Sequence, residues 1–136
     1  MPSIRVLIVD DAPAWRQCVR LMLEEHSTFQ VVGEASDGLE AIQKSQQLQP
    51  DVILLDVCLP ILNGIEAAAH ICKSSPHSTI LFVSIMRSTG IMEQLFRHNS
   101  SVLGYIHKLD VAEWLIPAIH AAIQQRRFIG NISGEA

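Results

Sequence analysis

Residues 6–13 read VLIVDDAP: a short apolar run ends in two adjacent carboxylates, Asp10 and Asp11, and a proline follows almost at once. The run Ile4–Val9 (IRVLIV) has the near-continuous apolar composition of a strand buried on both faces, as in a parallel sheet. Pro13 suits the first turn of a helix. The residues after it, AWRQCVRLMLEEH, carry Trp15, Cys18, Val19, Met22 and Leu23 at helical spacing. A strand built for a core has no structural need of two like charges side by side at its end.

The pattern recurs along the chain. Residues 30–35 (QVVGEA), 51–56 (DVILLD), 79–84 (TILFVS) and 102–107 (VLGYIH) read as four further strands. Between them lie amphipathic stretches. Asp37 with Glu40 predicts a capped helix start whose apolar face begins with Leu39 and Ile42. Asn63-Gly64 opens a helix bearing Ile65, Ala68 and Cys72. A weaker helix is expected around residues 91–97. Asp110 with Glu113 repeats the capping pattern before a last helix faced by Val111, Trp114, Leu115, Ala118, Ala122 and Ile123. Five strand–helix units argue an α/β fold, a doubly wound parallel sheet with helices on both faces.

The composition agrees with one compact domain. The chain has 136 residues, 49% hydrophobic and 18% charged, which excludes a disordered protein. A net charge of -4 excludes sequence-independent nucleic-acid binding. No apolar run approaches the ~20 residues of a membrane span, and MPSIR lacks a secretory signal, so a cytoplasmic location is expected. Of the three cysteines, Cys18 and Cys72 read as small buried hydrophobes. The six histidines do not pair at ligand spacing, and alternation turns His107 away from Lys108.

In such a sheet the ligand site lies beyond the carboxyl ends of the strands. Those ends carry Asp10 and Asp11, Asp56, Ser84 and, after the fifth strand, Lys108. Like charges ~4 Å apart repel by about 4 kcal/mol at an effective dielectric of 20, so three carboxylates call for a cation. All-oxygen donors suit Mg²⁺. Asp11 read alone serves equally well as a helix cap; the shared position of all five residues favours a site.

These residues resemble the receiver domain of two-component response regulators. The resemblance runs from about residue 4 to 127 and rests on VLIVDD, GEASDGLEA, PDVILLDVCLP with Asn63-Gly64, FVS and GYIHK. The second and third resemble the NarL-type subfamily, whose members usually carry a helix-turn-helix output domain. The resemblance implies a flavodoxin-like sheet of five parallel strands in the order 2-1-3-4-5. It makes residues 1–127 the receiver and 128–136 a tail or the start of a linker to an output domain. It implies that Asp56 accepts a phosphoryl group from a sensor histidine kinase. Asp11 and Asp56 would ligate Mg²⁺ directly, Asp10 chiefly through water, and the Cys58 backbone carbonyl would join them. Ser84, the Ile85 N–H and Lys108 would hold the phosphoryl oxygens. Ser84 and Tyr105 would form the switch, changing the face made by the fourth helix, fifth strand and fifth helix, with homodimerisation a possible result of activation. Such a protein is an acceptor that phosphorylates itself, not an enzyme in the usual sense, and it meets DNA only through an output domain.

Four features depart from the family. Ile85 stands where a small residue is usual. Cys58 and Met86, both apolar, flank the site and orient no water, which predicts slow phosphoryl turnover. HNSSVLGY replaces a run of small residues before the fifth strand, and Pro117 lies inside the last helix, where a kink is expected. These departures motivate an alternative: a degenerate receiver acting as a phosphorylation-independent interaction module. A phosphatase working through an aspartyl phosphate is a third reading, disfavoured because VCLP follows Asp56.

Overall fold

A computed structural model describes residues 3–85, 101–125 and 128–130. The expected helix around 91–97, Met86 and most of the segment before the fifth strand lie outside the described residues. Strands β1 (Ile4–Val9), β2 (Phe29–Ala35), β3 (Val52–Leu55), β4 (Thr79–Ser84) and β5 (Val102–His107) form a parallel sheet in the order β2-β1-β3-β4-β5. Helices α1 (Pro13–Glu24), α2 (Gly38–Leu48), α3 (Gly64–Ser74) and a C-terminal helix (Val111–Ile123) pack around it. One strand was not expected. Residues Phe128–Gly130 were read as tail or linker, yet they pair in parallel with β5 as β6, at the edge of the sheet. A three-residue run ending in glycine carries too little pattern to be read as a strand.

Strand alternation divides the core into two layers. Leu7, Val9, Ile53, Leu55, Phe82 and Tyr105 face one way, with Ala41 of α2 and Ala67 and Ile71 of α3. Val6, Ile8, Leu54, Val83 and Ile106 face the other, with Val19 and Leu23 of α1 and Leu115 and Ile119 of the C-terminal helix. Each strand thus feeds both layers, which explains why the runs are apolar throughout.

The helix faces are narrower than the sequence predicts. Cys18 is exposed, not buried: Val19 and Leu23 form the line that meets the sheet, and Cys18 falls outside it. Leu39, Ile65 and Ile123 are exposed for the same reason, each at the margin of its helix's buried stripe. Cys72 is half-buried against the first layer, as expected. The Asp37 cap accepts from the Glu40 N–H at 2.8 Å, and Glu40 reaches back to the Ser36 N–H at 2.7 Å. Asp110 precedes the C-terminal helix but makes no capping bond. That helix runs through Pro117, which is exposed. No helix among the described residues is long and apolar enough to cross a membrane.

Candidate functional site

The alternation that builds the core also sorts the polar residues at the strand ends. Val6 and Ile8 face α1, and two residues on the same parity brings Asp10. Leu54 leads to Asp56, and Ile106 to Lys108. These three side chains therefore share the α1 side of the sheet. Phe82 leads to Ser84, and Tyr105 and His107 share the opposite side. The strand ends are held in line by backbone bonds: the Asp10 N–H donates to the Ala35 carbonyl at 3.0 Å, and the Asp56 N–H to the Val9 carbonyl at 3.1 Å.

Asp10 and Asp56 are buried and Asp11 is exposed, and one oxygen from each lies within 4.8 Å of the others. The Lys108 ammonium sits between the two buried carboxylates, 2.6 Å from Asp10 Oδ2 and 3.3 Å from Asp56 Oδ2. Asp56 Oδ1 accepts from the Cys58 N–H at 3.1 Å. Asp10 Oδ1 accepts from the Ala12 N–H at 2.9 Å, and the residue before α1 is Ala12, with no side-chain cap. Asp11 is therefore not a helix cap, and the structural explanation for the second carboxylate falls away.

One ammonium does not neutralise three carboxylates. Burial pushes the Asp56 carboxyl up to about 6, with Asp10 adding to the rise while the Cys58 N–H and Lys108 oppose it. Burial alone would lower the Lys108 ammonium, but its contacts with Asp10 and Asp56 outweigh this and hold it above its ordinary value. A site short of positive charge and furnished with oxygen donors can bind a metal ion.

The loop after Asp56 is drawn tight. A γ-turn, closed by the Leu62 N–H on the Pro60 carbonyl at 2.7 Å, puts Ile61 at φ 69. A β-branched residue is strained there. The chain then enters α3 through Asn63, whose side chain accepts from the Glu66 N–H, and Gly64, whose backbone backs onto the Asp56–Val57 backbone. A Cβ on Gly64 would lie 2.0 Å from the Asp56 carbonyl oxygen, so this glycine serves the close approach, as the sequence suggests.

Across the sheet, Ser84 and Tyr105 are both buried. Burial raises the Tyr105 hydroxyl above its usual range. Ile85 is exposed, and its carbonyl is bonded to His107 Nε2 at 2.8 Å. His107 Nδ1 accepts from the Leu109 N–H at 3.1 Å, so Nε2 carries the proton and donates. Sequence reasoning correctly turned His107 away from the carboxylates but did not foresee this tie between the ends of β4 and β5.

Two arginines of α1 escaped the sequence. Arg16 Nη1 donates to the Asp10 carbonyl at 2.6 Å and its Nε to Glu34 at 2.8 Å, which clamps α1 to the end of β1. Arg20 completes the pair on Glu34 at 2.8 Å, and the two guanidiniums outweigh burial to hold Glu34 below the usual carboxylate range. The Trp15 ring centroid lies 5.0 Å from Lys108 Nζ.

The family model for the response regulator receiver domain matches residues 6–119. The chain belongs to that family. Receiver domains are phosphoryl acceptors, phosphorylated by histidine kinases, and not enzymes in the usual sense. This receiver is 36% identical to the chemotaxis protein CheY of Listeria monocytogenes, over 88% of its own length and 98% of the relative's. It is 40% identical to a protein-glutamate methylesterase/protein-glutamine glutaminase of Alkalilimnicola ehrlichii over 61% of its own length, but spans only 21% of that protein. The crystal structure of a LuxR-family two-component response regulator from an Aurantimonas species superposes with a TM-score of 0.89 at 30% identity, covering 98% of this chain and 94% of the other.

Proposed function

We propose that this receiver takes a phosphoryl group from a sensor histidine kinase onto Asp56 and signals through the changed surface that results. The observation that carries the reading is the pairing of three carboxylates at the ends of β1 and β3 with a single ammonium from the end of β5. Asp56 acts as the nucleophile. Its oxygen forms a bond to phosphorus, the phosphorus–nitrogen bond to the kinase histidine breaks, and the imidazole keeps the electron pair and takes up a proton. The product is an acyl phosphate. Such a transfer needs mainly in-line positioning and neutralisation of charge.

Asp10, Asp11, Asp56 and the Cys58 carbonyl would hold Mg²⁺, Asp10 chiefly through water. Bound there, Mg²⁺ would supply positive charge to the carboxylates and the phosphoryl oxygens. Lys108, held close to both buried carboxylates, passes from Asp56 to a phosphoryl oxygen. Ser84 and the Ile85 N–H donate to the others. Ser84 moves toward the phosphoryl group, and Tyr105, already buried in this state, responds by repacking on β5 and the C-terminal helix. The likeness to a LuxR-family regulator supports a NarL-type receiver, cytoplasmic, controlling transcription through a DNA-binding output domain and dimerising on activation.

The test is intact mass after incubation with a small-molecule phosphodonor, with and without Mg²⁺, on wild type and Asp56→Asn. One added phosphoryl group that requires both Mg²⁺ and Asp56 is expected. No label, under conditions that label another receiver, would reject the reading in favour of a phosphorylation-independent interaction module.

A further inference from the structure

Among the described residues, the Lys108 ammonium meets the Asp10 and Asp56 carboxylates and one uncharged group. That group is the indole face of Trp15, with its centroid 5.0 Å from Nζ, inside the range of a cation–π contact. We propose that Trp15 is a positioning residue for phosphoryl transfer, holding the Lys108 ammonium beside Asp56 when Asp10 turns to the metal. The proposal rests on the reading of Asp56 as acceptor and names a device that the acceptor requires.

The need for it follows from the distances. Lys108 lies closer to Asp10 (2.6 Å) than to Asp56 (3.3 Å). Asp10 is also one of the carboxylates that can hold a cation. A lysine anchored only by Asp10 would lose its anchor as that carboxylate is claimed, and a four-carbon stem would let the ammonium drift toward water. An aromatic face is an anchor that no metal competes for. It carries no formal charge and so adds nothing to the repulsion among the carboxylates.

The placement of the indole is itself fixed. The Ala12 N–H is bonded to Asp10 Oδ1, Arg16 holds the Asp10 carbonyl, and Pro13 sets the first turn of α1. Trp15 therefore cannot shift without moving the end of β1. Its ring packs against the α1-side core and, with Asp10, Val19, Leu54 and Val83, lines a small recess beneath the site. Packing explains why a large apolar side chain is tolerated there. It does not explain why the face of that side chain is presented to the Lys108 ammonium.

The experiment separates packing from the cation–π contact. Trp15→Phe keeps an aromatic face; Trp15→Leu keeps apolar bulk and loses the face. At saturating Mg²⁺ with a small-molecule phosphodonor, the rate of Asp56 labelling should stay within about twofold of wild type in Trp15→Phe and fall about fivefold or more in Trp15→Leu. In a Lys108→Met background the Leu substitution should cause no further loss. Equal losses with and without Lys108 would mean that Trp15 only packs, and would overturn the proposal. A second readout needs no phosphorylation. The Lys108 ε-methylene protons should show an upfield ring-current shift in wild-type protein that persists as MgCl₂ is added and is absent in Trp15→Leu. Loss of that shift on adding Mg²⁺ also overturns the proposal. Should wild-type protein take no label at all, the acceptor reading fails, and the ring-current measurement still decides whether Trp15 holds Lys108.

Discussion

The two ends of this parallel sheet are built on opposite principles. At the end where the strands begin, buried serines and an exposed aspartate find neutral partners. Ser75 and Ser78 are both buried; Ser78 donates to the Pro50 carbonyl at 2.5 Å, and Ser75 donates to Ser78 at 2.6 Å. Asp51 accepts from the Arg5 N–H at 2.8 Å, and the Arg5 guanidinium from there reaches the Gln49 carbonyl at 2.9 Å. At the end where the strands finish, two buried carboxylates and an exposed one share a single ammonium, and the loop behind them is strained at Ile61. The same strands run through both ends, so the difference is not a property of the fold. Buried charge is avoided at one end and gathered at the other, and the gathering marks the candidate site.

The largest effect should come from removing the close approach that shapes the functional end. Gly64→Ala puts a methyl group against the Asp56 carbonyl. We expect a loss of roughly 3 kcal/mol or more in urea unfolding, with loss of Asp56 labelling in whatever protein remains folded. An unchanged midpoint would mean that the β3–α3 turn yields easily and that the contrast between the two ends is overstated.

Asp56→Asn should move stability the other way. With its carboxyl raised to about 6 from an ordinary 3.8, the folded protein holds a proton that the unfolded chain releases between those values. Stability therefore falls as pH rises from about 4 to about 6, and the ionised carboxylate costs up to about 3 kcal/mol above that window. At pH 7.5 without divalent cation, Asp56→Asn should unfold later than wild type, and the advantage should shrink toward pH 4. Addition of Mg²⁺ should narrow it as well, by stabilising wild type alone. A destabilised Asn variant at pH 7.5 would show that the charge is already compensated.

How far this end could be read from the sequence depends on what carried each residue there. Asp10, Asp56 and Lys108 were legible because strand parity and the carboxyl-end rule act on position alone, and the structure gathers them accordingly. Trp15 and Arg16 were not, since their roles depend on how α1 lies across β1, a tertiary fact with no periodicity of its own. Cys18 failed because helical spacing does not say how wide the buried stripe is. The sixth strand failed because its pairing with β5 comes from a long-range contact and not from its three residues. The order of the five longer strands was implied by resemblance, not by pattern.

Ser78→Ala tests the satisfied end. It strips the Pro50 carbonyl and Ser75 of a partner at a buried position, and should cost about 1–2 kcal/mol in thermal or urea unfolding while leaving Asp56 labelling intact. A change in labelling rate would join the two ends that the comparison separates. The smallest effect is expected at Ile61, where replacement by glycine relieves a left-handed β-branched residue that is 78% exposed. A gain of about 1 kcal/mol is expected, less than the relief itself because glycine loosens the unfolded chain.

β6 has a consequence of its own for assembly. An uncovered strand edge offers a row of unused donors and acceptors that another chain can zip onto. Here the outer edge of β5 is occupied from Gly104 to Ile106 by Phe128–Gly130, and the strand that takes over the border is three residues long. Such a border is too short a template for growth by strand addition. Any association on this flank has to be made by side chains meeting side chains, or by peeling β6 away first. Because β6 runs parallel to β5, Gly130 sits level with Ile106, two positions short of Lys108. The last paired residue of β6 therefore lies beside the end of the sheet that holds the candidate site, against the strand that leads to the lysine.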